Sequence, residues 1–227
     1  MSEGESEHHR QMHRAQERFQ LADGALQIIL VRHGSSIGPT VDTAELDGLT
    51  ISDPVLSPDG LVQADAVGEA LAREGLSAIF VTPLQRTQQT AAPLARLSGL
   101  KPQHVGDLRE VYLGDWEHSF YTHAAAGHPL VNRMIETESW EVIPNAETSA
   151  GFAERVRRGI ATVVAQAQAG QSVAVFSHAG TIAEICHQAT GSRRFAFTAP
   201  ENASISRLIV AADGTWKLRS FNEVSHL

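Results

Sequence analysis

Cysteine and lysine are both scarce in this sequence of 227 residues, which contains one cysteine and two lysines. Because a disulfide needs two cysteines, no intrachain disulfide can form, and a reducing, cytoplasmic setting is expected. The longest apolar run near the N-terminus, residues 25–31, is too short to span a bilayer. The first ten residues, MSEGESEHHR, lack the apolar stretch of a signal peptide. We therefore expect a cytoplasmic protein with no membrane partner.

Positive charge is in short supply as well. The 26 acidic residues outnumber the 18 basic ones, and the formal net charge is -8. This balance argues against nucleic acid or an anionic membrane as the partner. An anionic small molecule would need a local cationic site within this negative field. Arginine supplies almost all of the positive charge, and its guanidinium group suits bidentate recognition of oxyanions.

The chain divides into a polar N-terminal part and one domain. Residues 1–23 hold three histidines among Glu, Gln and Arg, and we predict a mobile or helical extension whose histidines are solvated. Residues 24–227 have the apolar content of a single globular domain. Buried strands are predicted at 27–32, 78–81 and 173–176, helices at 58–75, 85–97, 148–169 and 181–190, and a hairpin at 204–211 and 216–221.

Strands alternate with helices along the domain. This order predicts an α/β fold, a three-layer α/β/α sandwich with a mostly parallel central sheet and an antiparallel edge strand. Residues 35–56 show no periodicity and are predicted as loop. Residues 119–143 are predicted as short helices, and Pro93 as a kink or an early end of its helix.

Polar groups follow three of the predicted strands. Arg32 and His33 end the first strand, Arg86 lies just after the second, and His178 with Gly180 follows the third. Because parallel strands bring their carboxyl ends to one edge of the sheet, these side chains are expected to converge. A single histidine after a strand is most often structural, but the joint occurrence at three strand ends favours an anion-binding catalytic site.

Such a site suits a phosphoryl group. Arg32 and Arg86 offer forked donors for its oxygens, and neutral His33 is a competent nucleophile near neutral pH. His178 could donate to the oxygens as imidazolium, and Gly180 opens a helix with free N–H groups.

An alkoxide leaving group needs a proton donor. Glu110 is the best candidate, with Trp116 near enough in sequence to shield a carboxyl group from water. Asp115 and Glu117 are competing candidates.

Four sequence blocks then resemble the histidine phosphatase superfamily, also called phosphoglycerate mutase-like. They are Arg32-His33-Gly34, residues 82–91 (TPLQRTQQTA), residues 108–117 (LREVYLGDWE) and Ser177-His178-Ala179-Gly180. The blocks stand in the family's order and cover about residues 26–222. The resemblance implies a phosphohistidine intermediate, no metal and no organic cofactor. It further implies His33 as nucleophile, Arg32, Arg86 and His178 as the phosphate pocket, Glu110 as proton donor, and Ser36, Ala179 and Gly180 as substrate-binding residues.

The sequence departs from the family pattern after the first block. Ser35 and Ser36 follow it, and Gly38 stands where the family usually has Asn, so one amide donor is missing. His118 replaces a usual Gly, and a surface role is expected for it. These positions leave the substrate unidentified.

The predicted function is hydrolysis of phosphomonoesters of small metabolites. The alternatives are a phosphoglycerate mutase and a phospholigand-binding protein that has lost catalysis. A lid insertion is predicted around residues 118–145. A homodimer is one assembly that the N-terminal extension or an exposed edge strand could mediate.

Overall fold

A six-stranded sheet lies at the centre of the computed structural model, which describes residues 19–38, 42–197 and 200–227. Its strands are β1 (Leu26–Arg32), β4 (Ala78–Val81), β5 (Pro102–His104), β6 (Ser172–Ser177), β7 (Ile205–Val210) and β8 (Trp216–Glu223). The spatial order is β5-β4-β6-β1-β7-β8, with β5, β4, β6 and β1 parallel. β7 runs antiparallel to β1, and β8 antiparallel to β7. The predicted mixed sheet with an antiparallel edge is confirmed.

Helices cover both faces of the sheet. Those that do so are α1 (Pro58–Leu71), α2 (Gln85–Ser98), α5 (Ser149–Gln166) and α6 (Ala179–Thr190), whereas α3 (Phe120–Ala125) and α4 (Pro129–Thr137) belong to the 118–145 segment. Successive residues of β1 point to opposite faces, so Ile29 packs with Leu94 of α2, while Ile28 packs with Phe152 of α5 and Ile185 of α6. The predicted three-layer sandwich is therefore confirmed. Among the described residues, no helix has the length and apolar content needed to cross a membrane.

Two local predictions are wrong. The supposed loop at 35–56 contains a hairpin of β2 (Thr43–Leu46) and β3 (Leu49–Ser52). Asp47 and Gly48 turn it with φ of 55° and 75°, as a two-residue hairpin turn requires. Of the two outcomes predicted for Pro93, the early end of the helix is wrong, because α2 continues to Ser98 and matches the helix predicted over 85–97. The ring of Pro93 lies on Gly68 of α1, so packing between the two helices offsets the lost hydrogen bond.

The 118–145 segment forms the predicted short helices and has a hydrophobic cluster of its own. Trp116, Val131, Met134 and Ile143 make up its buried part, apart from the two clusters that cover the sheet. The carboxylate of Glu138, which follows the last residue of α4, accepts hydrogen bonds from the side chain of Arg193 and from the backbone N–H of Arg194. That this segment acts as a lid remains a prediction. The predicted extension at 1–23 falls mostly on residues outside the described ranges.

Candidate active site

His33 directly follows β1, the strand between β6 and β7. Its backbone N–H donates to Ser177 at the end of β6, over 2.9 Å. Its ring Nδ1 lies 2.8 Å from the carbonyl oxygen of Gly34, which can only accept a hydrogen bond. Nδ1 therefore carries the imidazole proton, and the lone pair is on Nε2. A neutral imidazole held in this way is oriented for nucleophilic attack.

Two glycines bring the loop after His33 against the start of α1. A Cβ on Gly34 would lie 2.6 Å from the carbonyl oxygen of Gly60, and one on Gly60 would lie 1.9 Å from that of Ser35. Neither position tolerates a side chain without movement of the backbone. The amide of Gly34 also donates to Thr90 of α2 over 3.0 Å. The loop is thus fixed by two helices.

Arg32 and Arg86 both line one cavity with His33. Arg32 donates one N–H to the carbonyl oxygen of Pro200 at 2.6 Å, and its buried Nε has no partner among the described residues. Arg86 donates to the carbonyl oxygen of Ser52 at 3.0 Å and lies 3.7 Å from a carboxylate oxygen of Asp53. Each guanidinium has five N–H donors, so both retain donors for an oxyanion.

His178 is fully buried at the N-terminus of α6, with its ring centroid 5.3 Å from that of His33. Its Nε2 lies 3.0 Å from the hydroxyl of Thr82, and its Nδ1 has no partner in the described part of the chain. Burial, with Arg86 as the next cause, holds the pKa of His178 well below its ordinary value of 6.5. The structure therefore favours a neutral His178, where the sequence predicted an imidazolium.

Glu110 lies at the same helix N-terminus. Its carboxylate accepts hydrogen bonds of 3.1 Å from the backbone N–H groups of Val111, Gly180 and Thr181. A Cβ on Gly180 would lie 2.7 Å from the Glu110 carboxylate, so a side chain there would displace that carboxylate. Glu110 lines the cavity together with both arginines, so the predicted proton donor faces the predicted nucleophile's site.

Arg155 of α5 positions the backbone that carries Glu110. It is 4% exposed and donates to the carbonyl oxygens of Asp107, Arg109 and Glu110 at 2.8, 3.0 and 3.2 Å. Its guanidinium also forms a bidentate pair with Glu147, at 2.6 and 2.8 Å. This arginine was not singled out in the sequence, where it reads as one more charged residue of a helix.

The two competing candidates for the proton donor, Asp115 and Glu117, differ in their position relative to the cavity. Asp115 is exposed, bonds to Asn145 and does not line the cavity. Glu117 does line it, and burial raises the pKa of its carboxyl group. Trp116 is buried in the cluster of the 118–145 segment and does not line the cavity, and shielding of a carboxyl group by its ring remains a prediction.

The predicted substrate-binding residues Ser36, Ala179 and Gly180 all line the cavity, whereas Gly38 is exposed and faces open space. Sequence reasoning missed Asn202, which lines the cavity and donates to the carbonyl oxygen of His33 over 3.0 Å. In the sequence, Asn202 is marked only by its position just before β7. This position indicates a site residue only if β7 is known to pair with β1.

The cavity has a volume of about 670 Å³, and its lining can be divided by chemistry into a charged part, here called the inner half, and an apolar part, called the outer half. The inner half holds the charged groups Arg32, Arg86, Glu110 and Glu117 beside His33. The outer half is apolar and comes largely from the 118–145 segment and residues 195–197. Within the described ranges, no three His, Cys, Asp or Glu side chains are grouped so as to hold a metal ion.

Acid is expected to destabilise the protein through its two buried histidines. Burial, Arg86 and Arg32 hold the pKa of His33 well below 6.5, as burial and Arg86 do for His178. Below pH 6.5 the unfolded chain then binds more protons than the folded one, so the free energy of unfolding falls as pH falls. The two histidines together lower the free energy of unfolding by up to about 2.7 kcal/mol for each unit by which the pH falls.

Urea unfolding at pH 7 and pH 5.5 measures this effect. A double variant, His33→Asn with His178→Asn, should show a clearly smaller decrease than the unmodified protein. An equal decrease in both proteins would contradict the assignment of neutral, buried imidazoles.

Comparison with known proteins gives one family. The family model of the histidine phosphatase superfamily (branch 1) matches residues 28–224. Phosphoserine phosphatase 1 of Hydrogenobacter thermophilus is 30% identical over 154 residues, which cover 67% of this chain and 71% of that protein. The probable phosphoglycerate mutase GpmB of Yersinia enterocolitica is 29% identical over 163 residues, 67% of this chain and 69% of the relative.

Other relatives align with a larger share of this chain but with a smaller share of their own length. The bifunctional protein Rv2228c of Mycobacterium tuberculosis is 29% identical over 204 residues, 88% of this chain and 55% of its own length. This chain spans 20% to 55% of the length of the first curated relatives it matches. Among structures, mycobacterial glucosyl-3-phosphoglycerate phosphatase Rv2419c aligns with a TM-score of 0.72 at 25% identity, covering 88% of this chain and 100% of that one.

Proposed function

This chain belongs to the histidine phosphatase superfamily, and on that premise we propose that it hydrolyses phosphomonoesters of small metabolites through a phosphohistidine on His33. The phosphatases among its relatives and structural neighbours support a hydrolase. The observation that carries the proposal is the state of His33. Its Nδ1–H donates a hydrogen bond to the carbonyl oxygen of Gly34. Its Nε2, which carries the lone pair, lies in the same cavity as two arginines that retain free N–H donors.

The phosphate group is bound by the inner half of the cavity. Arg32 and Arg86 neutralise its charge, and the hydroxyl of Ser36 supplies a further donor. Because His33 and His178 are neutral before binding, the two guanidinium groups are the cations that meet the dianion. Its arrival would favour protonation of His178, which then donates to an oxygen of the transferring group.

The reaction has two transfers of the phosphoryl group. In the first, Nε2 of His33 attacks phosphorus, the bond to the ester oxygen breaks, and Glu110 gives the departing alkoxide a proton. The carbonyl of Gly34 stabilises the positive charge that develops on the imidazole. In the second, a water molecule attacks the phosphohistidine while Glu110 takes its proton, which releases phosphate and restores His33.

Trapping the intermediate tests this proposal. The enzyme is mixed with a phosphomonoester carrying labelled phosphorus and quenched in alkali within one turnover. We expect label on the protein that survives alkali and is lost in acid, as a phosphohistidine requires, and that maps to His33. Phosphate release with label on another residue, or with no labelled protein at all, would contradict it.

A mutase remains the second candidate because of the similarity to the probable phosphoglycerate mutase GpmB. A mutase returns the phosphoryl group to a hydroxyl of its substrate, whereas a phosphatase gives it to water. Supplying 3-phosphoglycerate and following both isomerisation and phosphate release distinguishes them. We expect phosphate release without isomerisation.

The cellular setting is part of the proposal. The single cysteine is buried in the core, which fits a cytoplasmic enzyme that needs no disulfide. A small phosphorylated molecule is the proposed partner, and a homodimer remains a proposed assembly.

A further inference from the structure

The outer half of the cavity is a wall of large apolar side chains. It is formed by Phe120, Tyr121, Ile135, Trp140, Phe195 and Phe197. Several of these rings are held by packing: Trp140 and Phe195 have centroids 4.9 Å apart, and Phe197 packs on Phe221 at 5.1 Å. Tyr121 and Ile135 remain 75% and 54% exposed. The part of a substrate beyond its phosphate would therefore meet an apolar surface that is already formed.

Among the residues that the structure describes, no cation serves this outer half. Among the described residues that line the cavity, Arg32 and Arg86 are the only basic ones, and both belong to the phosphate site. Of the undescribed residues, those at 39–41 and 198–199 include no basic residue, and those at 1–18 include three arginines. Nearby Arg193 is paired with Glu138, and Arg194 with Glu184.

The carboxylates of the cavity make a second anion unfavourable. The phosphate dianion takes up the positive charge of the two arginines, and Glu110 and Glu117 offer no positive charge to a second anion. A substrate carboxylate would lose hydration at the apolar wall and gain no counter-charge. An uncharged apolar group gains the hydrophobic contribution of the same wall.

We propose that this site selects phosphomonoesters whose leaving group is apolar and uncharged, such as alkyl and aryl phosphates, over phosphate esters that also carry a carboxylate. The inference rests on the proposed phosphatase function and adds the substrate class to it. It distinguishes this chain from a phosphoserine or phosphoglycerate enzyme, whose substrates have a carboxylate in addition to the phosphate.

A matched pair of substrates tests the inference. Hexyl phosphate and 6-phosphonooxyhexanoate have the same chain length and alkoxide, and differ in a terminal carboxylate. We expect kcat/KM for hexyl phosphate to be higher by at least about tenfold, and to exceed that of ethyl phosphate by about fourfold for each buried methylene. Equal or faster hydrolysis of the carboxylate ester would overturn the substrate class and leave the phosphatase intact. Failure to hydrolyse any ester, p-nitrophenyl phosphate included, would overturn both.

A charge placed in the outer wall gives a second readout. Ile135→Arg introduces a cation at an exposed position of α4, and Val62→Arg does the same on α1, at a residue that is 68% exposed and does not line the cavity. We expect Ile135→Arg to shift the ratio of the two kcat/KM values toward the carboxylate ester by about tenfold, and Val62→Arg to leave it unchanged. The same ratio in both variants would overturn the role of the wall.

Discussion

Replacing His33 by alanine is expected to lower kcat/KM for every phosphomonoester by about 10⁴-fold or more. The change removes the Nε2 lone pair on which the proposed covalent intermediate forms, while both arginines and Glu110 stay in place to bind substrate. KM should change much less than kcat. Steady-state phosphate release measures the loss, and His104→Ala on β5, an exposed residue away from the cavity, is the matched control.

Addition of free imidazole tests whether the lost rate is due to the missing ring of His33. Alanine leaves a space of the size of the lost ring beside Arg32 and Arg86, and imidazole from solution can occupy it. We expect part of the lost rate to return with imidazole in His33→Ala and no such increase in the control. Activity of His33→Ala within tenfold of the unmodified protein would eliminate His33 as the nucleophile.

Replacing Glu110 by glutamine is expected to lower kcat for alkyl phosphates by about 10³-fold, because an alkoxide cannot leave without a proton. The loss should be much smaller for p-nitrophenyl phosphate, whose leaving group is stable as an anion. Glutamine also puts an N–H₂ group where the carboxylate accepts from Val111, Gly180 and Thr181. Local disturbance would lower both rates alike, so the dependence on leaving group is the informative measurement.

Glu117→Gln is the matched variant for this experiment. Both carboxylates line the cavity, and burial raises the pKa of Glu117, a property that suits a proton donor. Like Glu110, Glu117 accepts hydrogen bonds from backbone N–H groups, here those of Leu113 and Ser52 at 2.9 and 3.1 Å, so hydrogen bonding does not distinguish the two carboxylates and the leaving-group dependence must. We expect its replacement to lower both rates alike. If Glu117→Gln instead lost activity toward alkyl phosphates alone, Glu117 would be the proton donor.

Much of the fold follows from local patterns in the sequence. The apolar run at 27–32 marks a strand buried on both faces, and Ser57-Pro58-Asp59 marks a helix start, where the Ser57 hydroxyl caps the helix. The hairpin after Ser204 follows from Asp213 and Gly214 at its turn. The β2–β3 hairpin has an equally good turn signal in Asp47-Gly48, but its strands are only four residues long, so the alternation of polar and apolar residues in each is too short to mark a strand.

The site was predictable where residues follow strands directly, and unpredictable where it depends on strand order. His33, Arg86 and His178 could be brought together because parallel strands share an edge. Asn202 and Arg155 reach the site through neighbours that are 169 and 45 residues away in sequence. The neutral state of His178 likewise depends on complete burial beside Arg86, which no local pattern expresses.

The separate hydrophobic cluster of the 118–145 segment has a consequence for how such an enzyme can diverge. The groups proposed to do the chemistry are anchored to the sheet and to α1, α2, α5 and α6, whereas much of the outer wall is anchored to Trp116, Val131, Met134 and Ile143. Insertions or exchanges within this segment can therefore remodel the binding surface without disturbing the loop at His33. Descendants of one gene could acquire new substrates by changing this small part alone, and a transplanted segment offers the same route in the laboratory.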